Sequence, residues 1–559
     1  MSEQVEARLA QARAWLRQDP DAETRDELAG IITRASSGDA AAIADLDDRF
    51  GTRLAFGTAG LRGALGAGSN RMNRVLIAQA AAGFAAYLRA HVHGSAPTVV
   101  VGYDGRRNSR RFALDSAELF AGAGLRTILL PRLLPTPVLA FAVRHFGADA
   151  GVMVTASHNP PDDNGYKVYL GGVDGGSQIV SPGDIEIAAH IQSVADDSDV
   201  TSLPRSTTYE TANEDVISAY IRETAALAPA PPSAKNLNWV YTAMHGVGWE
   251  TFTRILREAG YPQPKTVGEQ LSPDPRFPTV SFPNPEEPGA MDLAFAAATR
   301  ARADFIIAND PDADRLAVAI PDDSVDGGWR RLSGNEVGLL LGARAARAAQ
   351  GRPGASLACS LVSSPGLGAI AAHHGLDFHE TLTGFKWISR APGMVFGFEE
   401  ALGYLVNPET VRDKDGISAA IAVLGLAAEA HERGDTLATL LTELGDTYGH
   451  FASGQVSVRV DDLSIISKIM LALRTLPPTR IGDTAIQSAE DLLQGSAGQP
   501  AGDVLRYRLA DGSRVIVRPS GTEPKLKVYI DAQADSAEDA RRAVADVETG
   551  VRALLEEHS

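Results

Sequence analysis

The chain has 559 residues, of which 44% are hydrophobic and 22% charged, and this length predicts several hydrophobic cores in roughly three to five domains. Its formal net charge of −18 at pH 7 argues against DNA or RNA as a partner, because nucleic-acid binders depend on basic surface. No apolar run approaches the length of a membrane span, so no membrane association is expected.

Helical patterns dominate the first fifty residues, which are expected to be appended to the first domain. Strand and helix patterns then alternate from Pro97 to Tyr169. TVVVGYD, RTILL and AGVMVTA predict strands, and SRRFALDSAELFAGAG and TPVLAFAVRHFG predict helices between them. This alternation predicts a parallel sheet covered by helices.

The same pattern recurs twice further along the chain. NWVYTAMHGVG, a helix over 251–259 and ADFIIANDPDADR form a second unit, and ASLACSLVSS, GLGAIAAHH and GMVFGFEEALGY form a third. Each unit contains an apolar strand that ends in a polar loop. Ligands bind beyond the carboxyl ends of strands in open α/β sheets, so these loops are the candidate sites.

The last hundred residues predict a smaller α+β domain, because GQVSVRV, VLRYRLA, RVIVRP and LKVYIDA are strand patterns separated by short turns. Stretches containing Pro, Gly or Ser near 202–208, 321–328 and 445–454 are the expected boundaries. The predicted domains are therefore 1–205, 206–324, 325–447 and 448–559.

The segment TASHNPPDDNGYK follows the predicted strand AGVMVTA and carries Ser157. Pro160 and Pro161 have a fixed φ and no amide donor, and Asn164-Gly165 is a strong turn pair. The loop is therefore predicted to be stiff, which indicates that Ser157 must be held still.

The segment DPDADR places Asp310, Asp312 and Asp314 at alternate positions after a buried strand. In an extended segment, alternate side chains point to one side, so their oxygens can converge on a hard cation, for which Mg²⁺ is the natural candidate. In isolation such a loop is more often a solvated acidic turn. The apolar strand before it favours a position at a sheet end.

The segment RPSGTEPK combines a guanidinium, two hydroxyls and a flexible glycine. Arg518 can bind a phosphate with two hydrogen bonds, and the backbone amides near Gly521 can complete the cradle with Ser520, Thr522 and Lys525. An ordinary hairpin turn is the alternative. The flanking basic residues in an acidic protein favour an anion site.

Three further segments carry polar groups in suitable loops. Glu399 and Glu400 in GFEEALGY can accept hydrogen bonds from two sugar hydroxyls, although paired carboxylates are more often surface charge. FGTAGLRG holds Arg62, and TLTGFKW holds Gly384 and Lys386, although both segments also suit simple turns.

These motifs, in this order, resemble the α-D-phosphohexomutase superfamily, and within it the phosphoglucomutase-2-like and bacterial phosphoglucomutase/phosphomannomutase branch. TASHNPPDDNGYK is similar to the family's phosphoserine loop, DPDADR to its magnesium loop, GFEEALGY to its sugar-recognition loop and RPSGTEPK to its phosphate-binding loop. FGTAGLRGALGAGSNRMN and TGFKWI are similar to segments of that branch. The resemblance extends from about Trp15 to the last strands.

The resemblance implies a four-domain architecture around a central cleft, with three related α/β domains and a C-terminal α+β domain. It implies that Ser157 carries a phosphoryl group beside Mg²⁺ held by the serine and the three aspartates. Family positions that line the reacting centre match His158 and Lys167, and Lys167 is a candidate acid/base because burial can lower a lysine pKa. Weaker matches as contacts within the cleft are Arg62, Arg315, His245 and Lys386.

The implied activity is a phosphohexomutase that interconverts a sugar 1-phosphate and a sugar 6-phosphate through a 1,6-bisphosphate, with glucose favoured and mannose possible. Glucose 1,6-bisphosphate is the expected activator. Within the family, a phosphopentomutase or a hexose-bisphosphate synthase is the alternative. A haloacid-dehalogenase-type phosphatase, which also has Asp-x-Asp after a strand, and an inactive sugar-phosphate-binding protein are the alternatives of other classes.

Cellular location is predicted from two features of the sequence. Cys359 is the only cysteine, which rules out a disulfide within the chain and favours a reducing cytoplasm. The N-terminal segment MSEQVEARLAQ is too polar for a signal peptide. Sugar phosphates are the expected partners, and no obligate protein partner is evident.

Overall fold

The computed structural model describes residues 3–57, 60–460, 462–495, 501–520 and 525–557, and the strands among them form four sheets. The chain groups into two compact units, Met1–Arg331 with Asn407–Ala428 and Leu332–Val406 with Glu429–Ser559. No helix in the described ranges combines the length and the apolar character that a bilayer crossing requires. The predicted α/β class is confirmed by the mixed sheets and their helices.

The first unit begins with three appended helices and then forms a mixed sheet of order β1-β5-β4-β2-β3-β7, with β6 beside β5. Its strands are β1 (Leu61–Ala64), β2 (Thr98–Tyr103), β3 (Arg126–Leu129), β4 (Ala150–Val154), β5 (Asp163–Leu170), β6 (Ser177–Gln178) and β7 (Glu210–Thr211). Its helices are α1 (Glu3–Gln18), α2 (Ala22–Ser36), α3 (Ala40–Phe50), α4 (Arg74–His91), α5 (Ser109–Gly122), α6 (Thr136–His145), α7 (Gly183–Asp197) and α8 (Glu214–Ala225).

The parallel centre of this sheet brings two loops to one edge. Strand β2 is parallel to β3 and β4, and Tyr103 is the register partner of Val154. Because both strands end at this level, the loop after Tyr103 and the loop that carries Ser157 emerge side by side. These two loops therefore lie at the edge of the sheet where the rule on the carboxyl ends of strands predicts ligand loops.

The predicted turn at Asn164-Gly165 is wrong, because both residues lie in β5, which pairs antiparallel with β4 and β1. The Asn164 side chain accepts from the Gly165 amide and donates to the Arg107 carbonyl and the Ser109 hydroxyl. A buried asparagine whose amide is satisfied in this way suits a strand as well as a turn. Local turn propensity therefore yields to the pairing of these two residues with β1.

The second sheet, in the same unit, has the order β12-β11-β10-β8-β9. Its elements are β8 (Trp239–Thr242), α9 (Gly248–Ala259), β9 (Lys265–Thr266), α10 (Asp292–Ala301), β10 (Phe305–Ala308), β11 (Ala317–Pro321) and β12 (Trp329–Arg331). Strands β8 and β10 are parallel, whereas β11 and β12 form an antiparallel hairpin. The stretch 322–328 is thus the turn of this hairpin, and Trp329–Arg331, which the predicted boundary assigns to the third domain, form β12 of this sheet.

The third sheet belongs to the second unit and has the order β14-β13-β15-β16. Its elements are α11 (Gly334–Ala349), β13 (Ser356–Ser360), α12 (Gly366–His374), β14 (Asp377–Thr381), α13 (Phe385–Ile388), β15 (Met394–Glu399) and β16 (Gly403–Leu405). Helices α14 (Gly416–Arg433) and α15 (Leu437–Tyr448) follow. Residues 407–428 were predicted within the third domain but group with the first unit. The four domain boundaries stay predictions.

The fourth sheet is antiparallel, in the order β17-β22-β21-β20-β19-β18, as the α+β prediction requires. Its elements are β17 (His450–Arg459), α16 (Leu463–Thr475), β18 (Arg480–Ile481), β19 (Thr484–Asp491), β20 (Leu505–Leu509), β21 (Arg514–Pro519), β22 (Lys525–Ala534) and α17 (Ala537–Glu557).

Within the second unit, buried Arg514 links the fourth sheet to the third. Its guanidinium donates to Asp531 at 2.7 Å, to Glu380 at 2.7 Å and to the Ser363 carbonyl at 2.5 Å. A bidentate cation between two carboxylates gives a directional contact that lysine cannot reproduce. These bonds fix the end of β13 against β21.

A close backbone approach positions the aspartate loop of the second sheet. A Cβ added at Gly246 would lie 2.3 Å from Cα of Pro311, which stands between Asp310 and Asp312. The neighbouring Val247 amide donates to the Pro311 carbonyl at 2.8 Å. The absence of a side chain at Gly246 therefore lets the turn after β8 support the loop after β10.

We expect Gly246→Ala to lower the Tm, because overpacking against rigid backbone costs about 1–3 kcal/mol. The measurement is differential scanning calorimetry. Gly268→Ala is the matched control, since an added Cβ there meets no described atom within 4 Å. Equal Tm values for the two variants would contradict the close approach.

Candidate active site

Ser157 lies in the loop after β4 and is 3% exposed. Its Oγ donates to Asp310 Oδ2 at 3.0 Å and lies 3.2 Å from His158 Nδ1. Its amide donates to Thr155 Oγ1 at 2.8 Å, and its φ is 54°. The hydroxyl of Ser157 is therefore held beside a carboxylate from the neighbouring sheet.

The three aspartates of the loop after β10 converge on one point. Asp310, Asp312 and Asp314 each show no exposure, and one oxygen of each lies within 4.8 Å of the others. The segment is a turn rather than the extended segment expected, because Ala313 has a φ of 57° and its amide donates to the Asp310 carbonyl. Convergence is as predicted, but a turn produces it.

Two lysines and a threonine hydroxyl compensate these buried carboxylates. Lys167 Nζ donates to Asp312 Oδ2 and Asp314 Oδ2, both at 2.7 Å. Thr136, the first residue of α6, donates through Oγ1 to Asp312 Oδ2 at 2.6 Å. Lys414 Nζ lies 3.4 Å from Asp314 Oδ2. The second oxygens of the carboxylates are thereby left facing inward.

The aspartate cluster fits a divalent cation. Asp312 Oδ1 and Asp314 Oδ1 are fully buried and have no hydrogen-bond partner among the described residues. Unsatisfied buried carboxylate oxygens are costly unless an ion or water satisfies them. Three carboxylates and the Ser157 hydroxyl form the hard oxygen set that Mg²⁺ prefers.

Burial and charge shift the pKa values of the cluster in opposite directions. Burial, followed by the charges of Asp312 and Asp314, raises the pKa of Asp310 well above its usual range. Burial also acts on Asp314, but the charges of Lys167 and Lys414 outweigh it and lower the pKa of that carboxyl. The cluster therefore retains negative charge that a cation can share.

The expectation that burial lowers the pKa of Lys167 is wrong in direction. Burial does lower the pKa, but the adjacent carboxylates of Asp312 and Asp314 outweigh it, so the pKa is raised. For His158, burial and then the positive charges of Arg315 and Arg62 lower the pKa well below its usual value. In this arrangement His158 is neutral at pH 7 and Lys167 is charged.

Arg62, Arg315 and His245, predicted as weaker contacts, make different contacts within the first unit. Arg62 Nη1 donates to Asn159 Oδ1 at 3.2 Å, in the serine loop. The Arg315 amide donates to Asp310 Oδ1 at 3.0 Å. His245 Nε2 lies 2.8 Å from Thr279 Oγ1.

The second unit holds the predicted sugar-recognition residues. Glu400 Oε2 accepts from Ser360 Oγ at 3.0 Å and Ser363 Oγ at 3.1 Å, and the Ser363 hydroxyl also accepts from the Glu400 amide. Glu399 ends β15. These bonds hold Glu400 in one orientation, which ordinary surface charge does not require.

The remaining predicted residues of the second unit lie on two loops. Gly384 precedes α13 with a φ of 114°, and Lys386 Nζ lies 5.5 Å from the centre of the Trp387 ring. Arg518 is partly buried near the end of β21. The Ser520 amide donates to the Lys525 carbonyl at 2.8 Å, which closes the hairpin. Gly521 and Thr522 lie outside the described residues.

Residue-by-residue reasoning missed several groups that contact the predicted site residues. Arg106 follows β2 and bonds the serine loop, and its position at the carboxyl end of a parallel strand was a usable signal. Lys414 sits in VRDKDG, which follows no predicted strand and carries no local signal. Thr136 and Ser363 are ordinary polar residues in sequence, so only the fold identifies them.

Comparisons with known proteins agree with this arrangement. Sequence models of the phosphoglucomutase/phosphomannomutase family match the chain in order: alpha/beta/alpha domains I, II and III over residues 53–197, 218–324 and 333–448, and the C-terminal domain over 482–548. A solved phosphoglucomutase/phosphomannomutase family protein from Burkholderia thailandensis has a TM-score of 0.68 at 20% identity, over 90% of this chain and 98% of its own.

Three curated relatives match this chain over nearly the whole of their own length. A Haemophilus influenzae protein named probable phosphomannomutase is 54% identical over 87% of this chain and 98% of its own. The human phosphopentomutase is 35% identical, over 94% and 91%. A Staphylococcus aureus phosphoglucomutase is 33% identical, over 89% and 93%. The chain therefore belongs to the phosphoglucomutase/phosphomannomutase family of sugar-phosphate mutases.

We expect Asp312→Asn to weaken Mg²⁺ binding by at least about tenfold, because the change removes negative charge from an oxygen set that faces inward. Isothermal titration calorimetry measures the affinity. Asp322→Asn, at a partly exposed carboxylate in the same sheet's hairpin, is the control and should bind Mg²⁺ like the wild type. Equal affinities for both variants would exclude this cluster as the metal site.

Proposed function

We propose that the chain interconverts glucose 1-phosphate and glucose 6-phosphate through a phosphoserine at Ser157 and glucose 1,6-bisphosphate. The observation that carries this proposal is the hydrogen bond of 3.0 Å from Ser157 Oγ to Asp310 Oδ2, inside a cluster of buried carboxylates and cations. A serine hydroxyl in an ordinary turn needs no such surroundings. Family membership supports the same chemistry and gives no support to the phosphatase alternative.

In the proposed cycle, the bond between phosphorus and Ser157 Oγ breaks as phosphorus bonds to a sugar oxygen, and the proton of the sugar hydroxyl passes to the leaving Ser157 Oγ. Ser157 Oγ then bonds to the other phosphoryl group of the bisphosphate, the bond between that phosphorus and the sugar oxygen breaks, and the serine proton passes to the released sugar oxygen, which restores the phosphoserine. His158 and Lys167 are the proposed proton-handling groups, and Arg62 and Arg315 supply positive charge. Phosphoryl transfer depends mainly on such positioning and neutralisation.

Mg²⁺ bound by Ser157, Asp310, Asp312 and Asp314 would supply positive charge near the transferred phosphoryl group. The fit of the cluster to a hard cation supports this assignment. Added glucose 1,6-bisphosphate is proposed as an activator, because an enzyme that loses the bisphosphate is left with a bare serine.

We expect Ser157→Ala to lower turnover by several orders of magnitude, because the oxygen that carries the phosphoryl group is lost. A coupled assay from glucose 1-phosphate measures turnover, and intact mass after incubation with glucose 1,6-bisphosphate measures phosphorylation. Ser202→Ala, at an exposed serine, should behave as the wild type. A folded Ser157→Ala variant with near-normal turnover would rule out the mechanism.

We further propose that Glu399 and Glu400 accept hydrogen bonds from sugar hydroxyls, with Gly384, Lys386 and His245 as further substrate contacts. The phosphate that does not react is held by a loop that we assign to Arg518, Ser520, Gly521, Thr522 and Lys525. Two distinct holders are needed because the bisphosphate carries two phosphates.

We expect Arg518→Ala to raise the KM for the sugar phosphate strongly and to lower kcat, since remote binding energy also positions the reacting end. Steady-state kinetics measure both. The variant should keep its Ser157 phosphate and its Mg²⁺ affinity. Arg508→Ala, at an exposed arginine of the same sheet, is the control. An unchanged KM in Arg518→Ala would show that RPSGTEPK is an ordinary turn and not a phosphate-binding loop.

The relatives are named for mutases of mannose, pentose and glucose phosphates. A phosphopentomutase is the second candidate, supported by the human relative's match over 94% of this chain. Parallel kcat/KM measurements on the 1-phosphates of glucose, mannose and ribose decide between them. A cytoplasmic location is also proposed, because the single Cys359 permits no disulfide within the chain.

A further inference from the structure

We propose that Arg106 is a positioning residue that fixes the backbone of the serine loop, so that the Ser157 hydroxyl points at Asp310. This inference rests on the proposed function and adds to it a residue outside the reacting groups. Arg106 lies in the loop after β2 and is 4% exposed.

One guanidinium gathers the carbonyl groups of the serine loop. Arg106 Nη2 donates to the carbonyl oxygens of Ser157 at 2.6 Å and Asn159 at 2.5 Å. Its Nη1 donates to those of Pro160 at 2.8 Å and Asp163 at 3.2 Å. The loop between β4 and β5 is thereby wrapped around a single side chain. The guanidinium of that side chain is the hydrogen-bond donor for these backbone carbonyls.

The guanidinium is itself fixed from two directions. Asp104 Oδ1 accepts from the Arg106 amide at 3.0 Å and from the Ser109 hydroxyl at 2.6 Å, and Asp104 Oδ2 lies 3.6 Å from Arg106 Nε. The Phe277 ring, from the part of the chain that forms the second sheet, has its centre 4.9 Å from the guanidinium carbon. A planar cation held at its edge and on its face cannot rotate away from the loop.

The backbone at Ser157 needs such support. Its φ of 54° lies in the left-handed region, which residues other than glycine avoid because Cβ approaches the carbonyl oxygen. Such a conformation persists only where the surroundings hold it. The Ser157 amide is held by Thr155 Oγ1, and the Ser157 carbonyl is held by Arg106. Both peptide groups that flank the serine are therefore fixed, which sets the direction of its Cα–Cβ bond.

The fixed backbone sets the orientation of one reacting atom, the hydroxyl oxygen of Ser157. Because in-line transfer is sensitive to displacements of about 1 Å, loss of the arginine should slow phosphoryl transfer far more than it weakens substrate binding. Lysine keeps the charge of Arg106 but has no planar fork, so it cannot bond several carbonyls at fixed angles. Arg106→Lys therefore separates geometry from charge.

The test uses the full chain and compares Arg106→Lys with Arg74→Lys. Arg74 is a matched control, because it is 9% exposed, lies in the same unit and donates to Asp115 at 2.6 and 2.9 Å. Rapid quenching gives the rate at which glucose 1,6-bisphosphate phosphorylates Ser157. Intact mass gives the fraction of chains that accept phosphate, so the rate is expressed per competent chain and is unaffected by unfolded protein.

We expect Arg106→Lys to lower the rate per competent chain by about a hundredfold and to leave the KM for the sugar phosphate within a factor of about three. Arg74→Lys should keep the wild-type rate per competent chain even if its Tm falls. A wild-type rate in folded Arg106→Lys overturns the inference and leaves a structural role only.

If Arg106→Lys does not fold, Phe277→Leu carries the test, because it removes the ring over the guanidinium without changing the loop. A several-fold lower rate per competent chain supports the inference, and an unchanged rate overturns it. A wild-type chain that accepts no phosphoryl group from a sugar bisphosphate would overturn the proposed function and this inference with it. If the wild type is phosphorylated and the variants are phosphorylated at the same rate per competent chain, the inference alone is overturned.

Discussion

The burial of three carboxylates beside Ser157 is the constraint on which the candidate site depends. Three negative charges without solvent are unfavourable unless cations and donors surround them. Lys167 from β5, Thr136 from α6 and Lys414 from the segment before α14 provide this compensation. The loop after β10 is thus stable only where the first and second sheets meet within the first unit. The same contacts leave two carboxylate oxygens for a cation.

This dependence explains why the fold was easier to predict than the geometry of the site. Hydrophobic periodicity gave the strands that end at Val154 and Ala308, and the carboxyl-end rule then located the loops that carry Ser157 and Asp310. Conversely, Asn164-Gly165 favours a turn locally, but pairing with β1 makes it part of a strand. Tertiary pairing of this kind has no local signature.

Charge compensation was harder still to predict from sequence. The proposed lowering of the Lys167 pKa considered burial alone, whereas two carboxylates 2.7 Å away reverse the direction. Lys414 could not be assigned, because its contact with Asp314 joins residues a hundred positions apart. Side chains that act on other side chains are defined by distance in space, and a single sequence reports only distance along the chain.

Arg106 and Arg514 play similar parts, because each donates hydrogen bonds to a backbone carbonyl close to a proposed site residue. Arg106 gathers the carbonyls around Ser157 in the first unit, and Arg514 bonds the Ser363 carbonyl, whose residue in turn orients Glu400 in the second. A guanidinium suits this task because its five donors lie in one rigid plane. Arg106 thus holds Ser157 through the serine's own carbonyl, whereas Arg514 acts on Glu400 through Ser363. The loops can remain free of regular secondary structure and still present their side chains in fixed directions.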